Sequence, residues 1–187
     1  MINQEIQFDV FLKGDNLDLV GLTEEIVEKS NWYNWFNNEE NMQTMQKHYF
    51  PNSREDQMNF FKNEICGNKN KLQLGIFHKI DQVLIGTISL SNIDYLNRKC
   101  EIGGLIGETK YKSINYWLEA NRILIRHAVD TLNMHRIHGA SIAKEVSIFY
   151  ERLLGFKTEG ILKQDIYKNG SFQDVYLFAR IFESAIN

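Results

Sequence analysis

The stretch "GETKYKSINYWLEA", residues 107–120, joins an apolar segment to an amphipathic one. A strand, a short loop and a helix start in that order offer free backbone N–H groups and the positive end of a helix dipole, which together hold anions such as phosphate. Loops of this kind usually spell their turn in glycine, and here none follows Gly107. Glycine is required only where φ is positive or where a ligand comes closer than a Cβ permits. Lys112 adds charge and Ser113 a hydroxyl donor, while Asn115 tolerates left-handed backbone better than most residues. Ile114, Tyr116 and Trp117 contribute amides. On these residues alone, a working but reshaped cradle and a degenerate one both stay open.

Placing such a loop takes a strand before it and a long helix after it. "KLQLGIFHK" and "QVLIGTISLSNID" are rich in Ile, Leu, Val, Phe and Thr and are separated by Asp81 and Gln82, so they read as two antiparallel strands. "KCEIGGLIG", after the turn "YLNR", is the third. From Asn115 to Leu132 the apolar positions Trp117, Ala120, Leu124, Ala128 and Leu132 keep helical spacing, with Asn133 as a stop. Next, "HRIHGASI" reads as a strand and "EVSIFYERLLG" as a helix ended by Gly155. "GILKQDIYKNGSFQDVYLFARIF" reads as two strands joined by Asn169-Gly170, a strong hairpin signal. Near the start, "LDLVGLTEEIVEK" passes from a strand into a helix that Thr23 caps and whose dipole Glu24 and Glu25 complement. "SNWYNWFNNEENMQTM" is a second short helix or a bend after Asn37 and Asn38, with Trp32 and Trp35 expected in the core and Tyr33, Asn34 and Met45 to Tyr49 as candidates to line a pocket. After Pro51, Asn52 or Ser53 caps a helix with Met58, Phe61 and Ile65 on one stripe. Hairpins mixed with one or two helical crossovers make an α+β fold with a mixed sheet.

Composition narrows the functional classes. The chain has 187 residues, 43% of them hydrophobic, which suits one domain over residues 1–187 with a real core. A net charge of -3 without a basic block argues against nucleic acid as a partner. Cys66 and Cys100 stand far apart with no His or Cys at metal-ligand spacing, so neither a disulfide framework nor a metal site is expected, and free buried thiols in a reducing compartment fit best. "MINQEIQFDV" has acidic residues where a secretory leader has a basic start, and no apolar stretch is long enough to span a bilayer. A cytoplasmic protein without a membrane partner is the expectation.

Taken together, "EIGGLIG", the loop, the helix carrying Glu119-Ala120, "LNMHRIHGASI", "SIFYERLLGF" and "EGILKQDIYKNGSFQDVY" resemble the GNAT superfamily of acyl-coenzyme A dependent N-acetyltransferases, from about residue 16 to about residue 182. The closer resemblance is to the branch holding ribosomal-protein N-terminal acetyltransferases and enzymes that acetylate amino groups on nucleotide-activated sugars. It implies a mixed, mostly antiparallel sheet of about seven strands, splayed in the middle and flanked by helices. The splay lies between "CEIGGLIG" and "HRIHGASI", where Leu105 and Ile106 present backbone groups to pantetheine. The diphosphate of acetyl-CoA, the implied co-substrate, meets the turn from Lys112 through Ser113, Ile114, Asn115 and Tyr116 to Trp117. The loop departs from the family pattern in lacking spaced glycines and in being one residue longer. The implied acceptor is a small-molecule primary amine, above all one on a nucleotide-activated sugar. A protein N-terminus is the alternative, and a non-catalytic binding module another. A monomer or a homodimer fits either.

Acetyl transfer from a thioester to an amine needs three groups. An alkyl amine has a pKa of about 10, so a base must take its proton. By the resemblance Glu101 holds the right position for that base, and a solvated strand-edge Glu is the alternative. His48, on the segment that covers the acceptor side, has a side chain with an ordinary pKa near 6.5 that suits the same task. A backbone N–H at the splay serves the acyl oxygen. Tyr150 is the candidate acid for the departing sulfur, although it lies five residues before Gly155 where many family members place tyrosine four before. A local bulge in the helix would restore that register; otherwise Tyr150 is a packed aromatic. Ser147, one turn earlier, is a candidate cofactor contact. His135 and His138 are assigned no catalytic role.

Overall fold

The computed structural model describes residues 6–45 and 50–183. Strands β1 (Val10–Lys13) and β2 (Leu17–Gly21) form a hairpin. Three short helices follow, α1 (Glu24–Lys29), α2 (Trp32–Trp35) and α3 (Glu39–Met42), and then α4 (Arg54–Phe60). The meander β3 (Leu72–His78), β4 (Val83–Asp94) and β5 (Lys99–Ile106) leads through a 3-10 turn into the long helix α5 (Ile114–Asp130). Strand β6 (Arg136–Ser141), helix α6 (Lys144–Leu154) and the hairpin β7 (Lys157–Lys168) and β8 (Ser171–Ile181) are the last elements among the described residues. The eight strands form one sheet in the order β1-β2-β3-β4-β5-β6-β8-β7.

The local chemistry explains most of these elements. Thr23 caps α1 by accepting the Ile26 N–H. Ser53 caps α4 in a reciprocal box with Asp56, whose carboxylate takes the Ser53 N–H and hydroxyl and is thereby held below the ordinary Asp range. Asn38 starts α3 by accepting the Asn41 N–H at 3.2 Å, resolving the bend expected after Asn37. Beyond Phe60 the helix widens into a π turn over Phe61–Ile65. Asn169 and Gly170, with φ of 50° and 81°, make the tight turn between β7 and β8. The one strand with no legible pattern is β1, which adds an eighth to the expected seven. It is an edge strand with Val10 43% and Phe11 52% exposed, so burial imposes little alternation on it.

Helices cover both faces of the sheet. Against α5 and α6 lies a cluster that includes Leu19, Ile76, Ile88, Leu124 and Ile137. Against α1, α2 and the π turn lies a second, built on Val20, Trp32, Trp35, Phe61 and Phe77, so both tryptophans are core residues. Cys100 is buried and its thiol is pushed up to about 12 by that burial, whereas Cys66 is exposed, contrary to the expectation for both. Among the described residues no helix is long and apolar enough to cross a membrane.

Candidate active site

Strand β5 leaves its neighbour part way along. It pairs in parallel with β6 only at Lys99↔Arg136, Cys100↔Ile137 and Glu101↔His138. Beyond that point β5 stays bound to β4 as far as Gly86↔Ile106, and β6 stays bound to β8 as far as Ser141↔Tyr176. The strands diverge around Phe178, stacked at 4.5 Å on Tyr150. A cavity of about 610 Å³ occupies the gap, lined among others by Glu101, Gly103, Leu105, Ile106 and Ala140. The edge of β5 beyond the Glu101↔His138 bridge therefore faces the cavity with backbone groups that no β6 residue takes, and such groups demand partners.

Two glycines shape that edge. Gly104 has φ 153°, and a Cβ there would stand 2.3 Å from the Thr87 carbonyl oxygen, so the strand needs glycine for its own pairing. At Gly103 an added Cβ would meet nothing within 4 Å. The bare backbone there leaves room for a slender chain to lie against β5, which fits a pantetheine arm. A third glycine follows the strand: Gly107 packs against the Trp35 indole, whose Cδ2 stands 2.1 Å from where a Cβ on Gly107 would be. Asn41 Nδ2 fastens the same point by donating to the carbonyls of Trp35 and Gly107, and Glu108 accepts the Trp35 indole N–H at 2.8 Å.

At the end of the slot stands the start of α5, where the glycine-poor loop resolves. Ser113 is the cap: its hydroxyl accepts the Asn115 N–H at 3.2 Å and its carbonyl the Trp117 N–H at 3.1 Å. The amides of Ile114 and Tyr116 are the first-turn donors left for an anion. Lys112, Ser113, Ile114 and Trp117 line the cavity. Asn115 and Tyr116 are absent from the lining. Asn115 is exposed, and the Tyr116 hydroxyl turns to His78 Nε2 at 3.0 Å, so only backbone remains there for a ligand. Downstream on the same helix, Glu119 accepts the N–H groups of Asn16 and Leu17 and the Asn16 side chain, anchoring the turn between β1 and β2. Burial alone would raise this carboxyl, but those donors outweigh it and hold it below its ordinary value.

The other sequence candidates divide. Glu101 lines the cavity where the strands part, and Asn92, at the irregular end of β4 with φ 51°, donates to its carboxylate at 3.0 Å. Beside it is His138, unassigned from sequence, whose imidazole burial pulls below its ordinary value while the Glu101 charge pulls the other way. Tyr150 also lines the cavity, but its hydroxyl donates to buried Asn121 Oδ1 at 2.8 Å, and burial raises its pKa. Helix α6 is α-helical from Lys144 to Leu154 without the bulge that would restore the tyrosine register, and ends on Gly155 at φ 72°. Ser147 is not in the lining; it is buried with its hydroxyl donated to the Lys144 carbonyl at 2.9 Å, and Val146 faces the cavity instead. His48 lies outside the described residues. Of the candidates to line a pocket, Met45 does so, and Tyr33 stacks on Arg54 at 4.3 Å. Sequence reasoning missed Glu40, Asn41, Thr44 and Gly103. Only the last left a signal, a Gly-Gly pair inside a strand pattern.

Comparison with known proteins agrees with this architecture. The model of the acetyltransferase (GNAT) domain family matches residues 16–145. A putative ribosomal N-acetyltransferase, YdaF, of Bacillus subtilis is 32% identical over 111 residues, 59% of each chain. The ribosomal-protein-serine acetyltransferase of Escherichia coli is 32% identical over 102 residues, 54% of this chain and 56% of that one. The match thus spans under two thirds of the length of these relatives. Among solved structures, the ribosomal L7/L12 alpha-N-protein acetyltransferase RimL superposes with a TM-score of 0.79 at 20% identity, covering 95% of this chain and 96% of that one. A spermidine N-acetyltransferase from Vibrio cholerae, solved with CoA and spermine, gives 0.77 at 21% identity, covering 89% and 95%. With its splayed sheet and the family match over residues 16–145, the chain belongs to the GNAT acetyltransferase family.

Proposed function

We propose that this chain is an N-acetyltransferase that carries an acetyl group from acetyl-CoA to a primary amine. The observation that carries the reading is the unpaired edge of β5 running from just beyond Glu101 to the capped start of α5. Acetyl-CoA supplies the activated acyl group as a thioester. The backbone from Ile102 to Ile106 lies beside its pantetheine arm, the amides of Ile114 and Tyr116 with Lys112 hold its diphosphate, and an unpaired N–H of β5 stabilises negative charge on the acyl oxygen. Glu101, held by Asn92, takes the proton of the incoming amine. Tyr150 serves the departing sulfur only by giving up Asn121, so we assign it first to the aromatic wedge between the strands.

The acceptor class follows from the lining. Glu40 and Glu101 put two carboxylates on the slot, and Lys112 is the single cation among its described lining residues. A slot whose Glu101 has no cation partner among the described lining residues suits a cationic amine such as a protein N-terminus or an alkyl polyamine, and the relatives named for ribosomal substrates and the neighbour solved with spermine support that preference. The nucleotide-linked sugar amine expected from the terminal hairpin would bring a second diphosphate towards the same carboxylates. A thiol-release assay over N-terminal peptides, polyamines and amino-sugar nucleotides tests the assignment. Turnover of a peptide or polyamine, falling by about 10²–10⁴ in kcat for Glu101→Gln, is the expected result; turnover of sugar nucleotides alone reverses the acceptor class, and a chain that binds no coenzyme A is a non-catalytic module.

A further inference from the structure

The ammonium expected to meet the cofactor's diphosphate already has a partner. Lys112 Nζ lies 2.9 Å from Glu40 Oε1, with the two side chains 29% and 54% exposed. Thr109 Oγ1 approaches the second carboxylate oxygen at 3.5 Å. Glu40 sits on α3, and the chain from there to Met45 lies across the slot. Ser141 Oγ donates to the Thr44 carbonyl at 3.4 Å, and Lys168 Nζ donates to the carbonyls of Met42 and Met45. A carboxylate is thus tied from the acceptor-side segment onto the residue that immediately precedes the α5 cap.

We propose that Glu40 is a built-in competitor for Lys112, which exchanges Glu40 for the diphosphate of coenzyme A. The inference rests on the functional reading above and adds a residue that lowers cofactor affinity and an order of events, in which the acceptor-side segment loses this tie as the cofactor enters. One ammonium cannot serve a carboxylate and a diphosphate equally, because anions sharing it stand a few ångströms apart and repel. What Lys112 gains from phosphate is therefore reduced by the ion pair it surrenders. By thermodynamic linkage the coupling is reciprocal: stabilising the Glu40–Lys112 pair weakens cofactor binding, and binding the cofactor weakens the pair.

The test is calorimetric titration of coenzyme A, and of pantetheine, which lacks the diphosphate, into the full chain and its Glu40→Gln and Lys112→Met variants. Glu40→Gln is expected to bind coenzyme A about threefold tighter, the scale of a partly exposed ion pair, and pantetheine no tighter. Lys112→Met is expected to bind coenzyme A about tenfold more weakly, as loss of a charged hydrogen bond gives. A misfolded variant cannot mimic a gain in affinity. Equal or weaker coenzyme A binding by Glu40→Gln or an equal gain for pantetheine overturns the exchange while leaving the functional reading intact, and no loss in Lys112→Met overturns both the exchange and the place of Lys112 at the diphosphate, leaving acetyl transfer itself standing. An unmodified chain that binds no coenzyme A overturns the exchange and the functional reading together.

Discussion

The two ends of β5 meet different neighbours. At Lys99 and Glu101 the strand is paired on both sides, with β4 and with β6. From Ile102 to Ile106 it is paired with β4 alone, and the other edge faces the cavity. The first half is closed structure. The second leaves backbone groups in want of a partner, and the ordinary sheet-forming side chains give way there to Gly103 and Gly104. The free edge is made in this fold by two strands that part, not by a special loop.

The two adjacent glycines sharpen that contrast most strongly. Gly104→Val forces a side chain into the Thr87 carbonyl at a positive φ and is expected to cost about 3 kcal/mol or more in urea unfolding. Gly103→Val, one residue away, points into open space and is expected to leave unfolding nearly unchanged while weakening coenzyme A binding by about 100-fold or more, roughly 3 kcal/mol. If Gly103→Val binds coenzyme A as tightly as the unmodified chain, the free edge is not where the cofactor lies.

The anchors behind the slot test the paired side. Glu119→Ala strips the acceptor from the Asn16 and Leu17 N–H groups and should cost about 2 kcal/mol at neutral pH. The carboxyl is held below its ordinary 4.5 in the folded chain, so its stabilisation is complete above that value and lost as pH falls through the lower folded value. The gap between the unmodified chain and Glu119→Ala should therefore close in acid, and denaturation at pH 7 and pH 3 measures it. The smallest effect is expected at the bottom of the splay, where Tyr150→Phe leaves Asn121 Oδ1 unpaired at a cost of about 1–2 kcal/mol. Its kcat should fall less than about tenfold, whereas a fall of 10³ or more would make Tyr150 the proton donor after all.

Much of the frame is legible in the residues themselves. Thr23 and Ser53 announce their helices, Asn169-Gly170 its hairpin, and the strand, loop and helix around Gly107 are read at sight because each depends on local chemistry. What depends on long-range packing is not. Nothing in "NNEENM" says that Glu40 reaches Lys112 or that Asn41 fastens Gly107, since these partners are about seventy residues away in the chain. The direction of the Tyr150 hydroxyl is set by Asn121 on another helix, and Ser147 turns to its own backbone, so neither follows from its helical position. The exposed strand β1 has no pattern to read.

The central claim is that amides at the start of α5 hold a diphosphate without glycine. A crystal structure of the chain with coenzyme A tests it most directly. The account predicts phosphate oxygens within hydrogen-bond distance of the Ile114 and Tyr116 amides and pantetheine lying along Ile102 to Ile106. Nucleotide bound elsewhere, or the Trp117 indole filling that place, would contradict it.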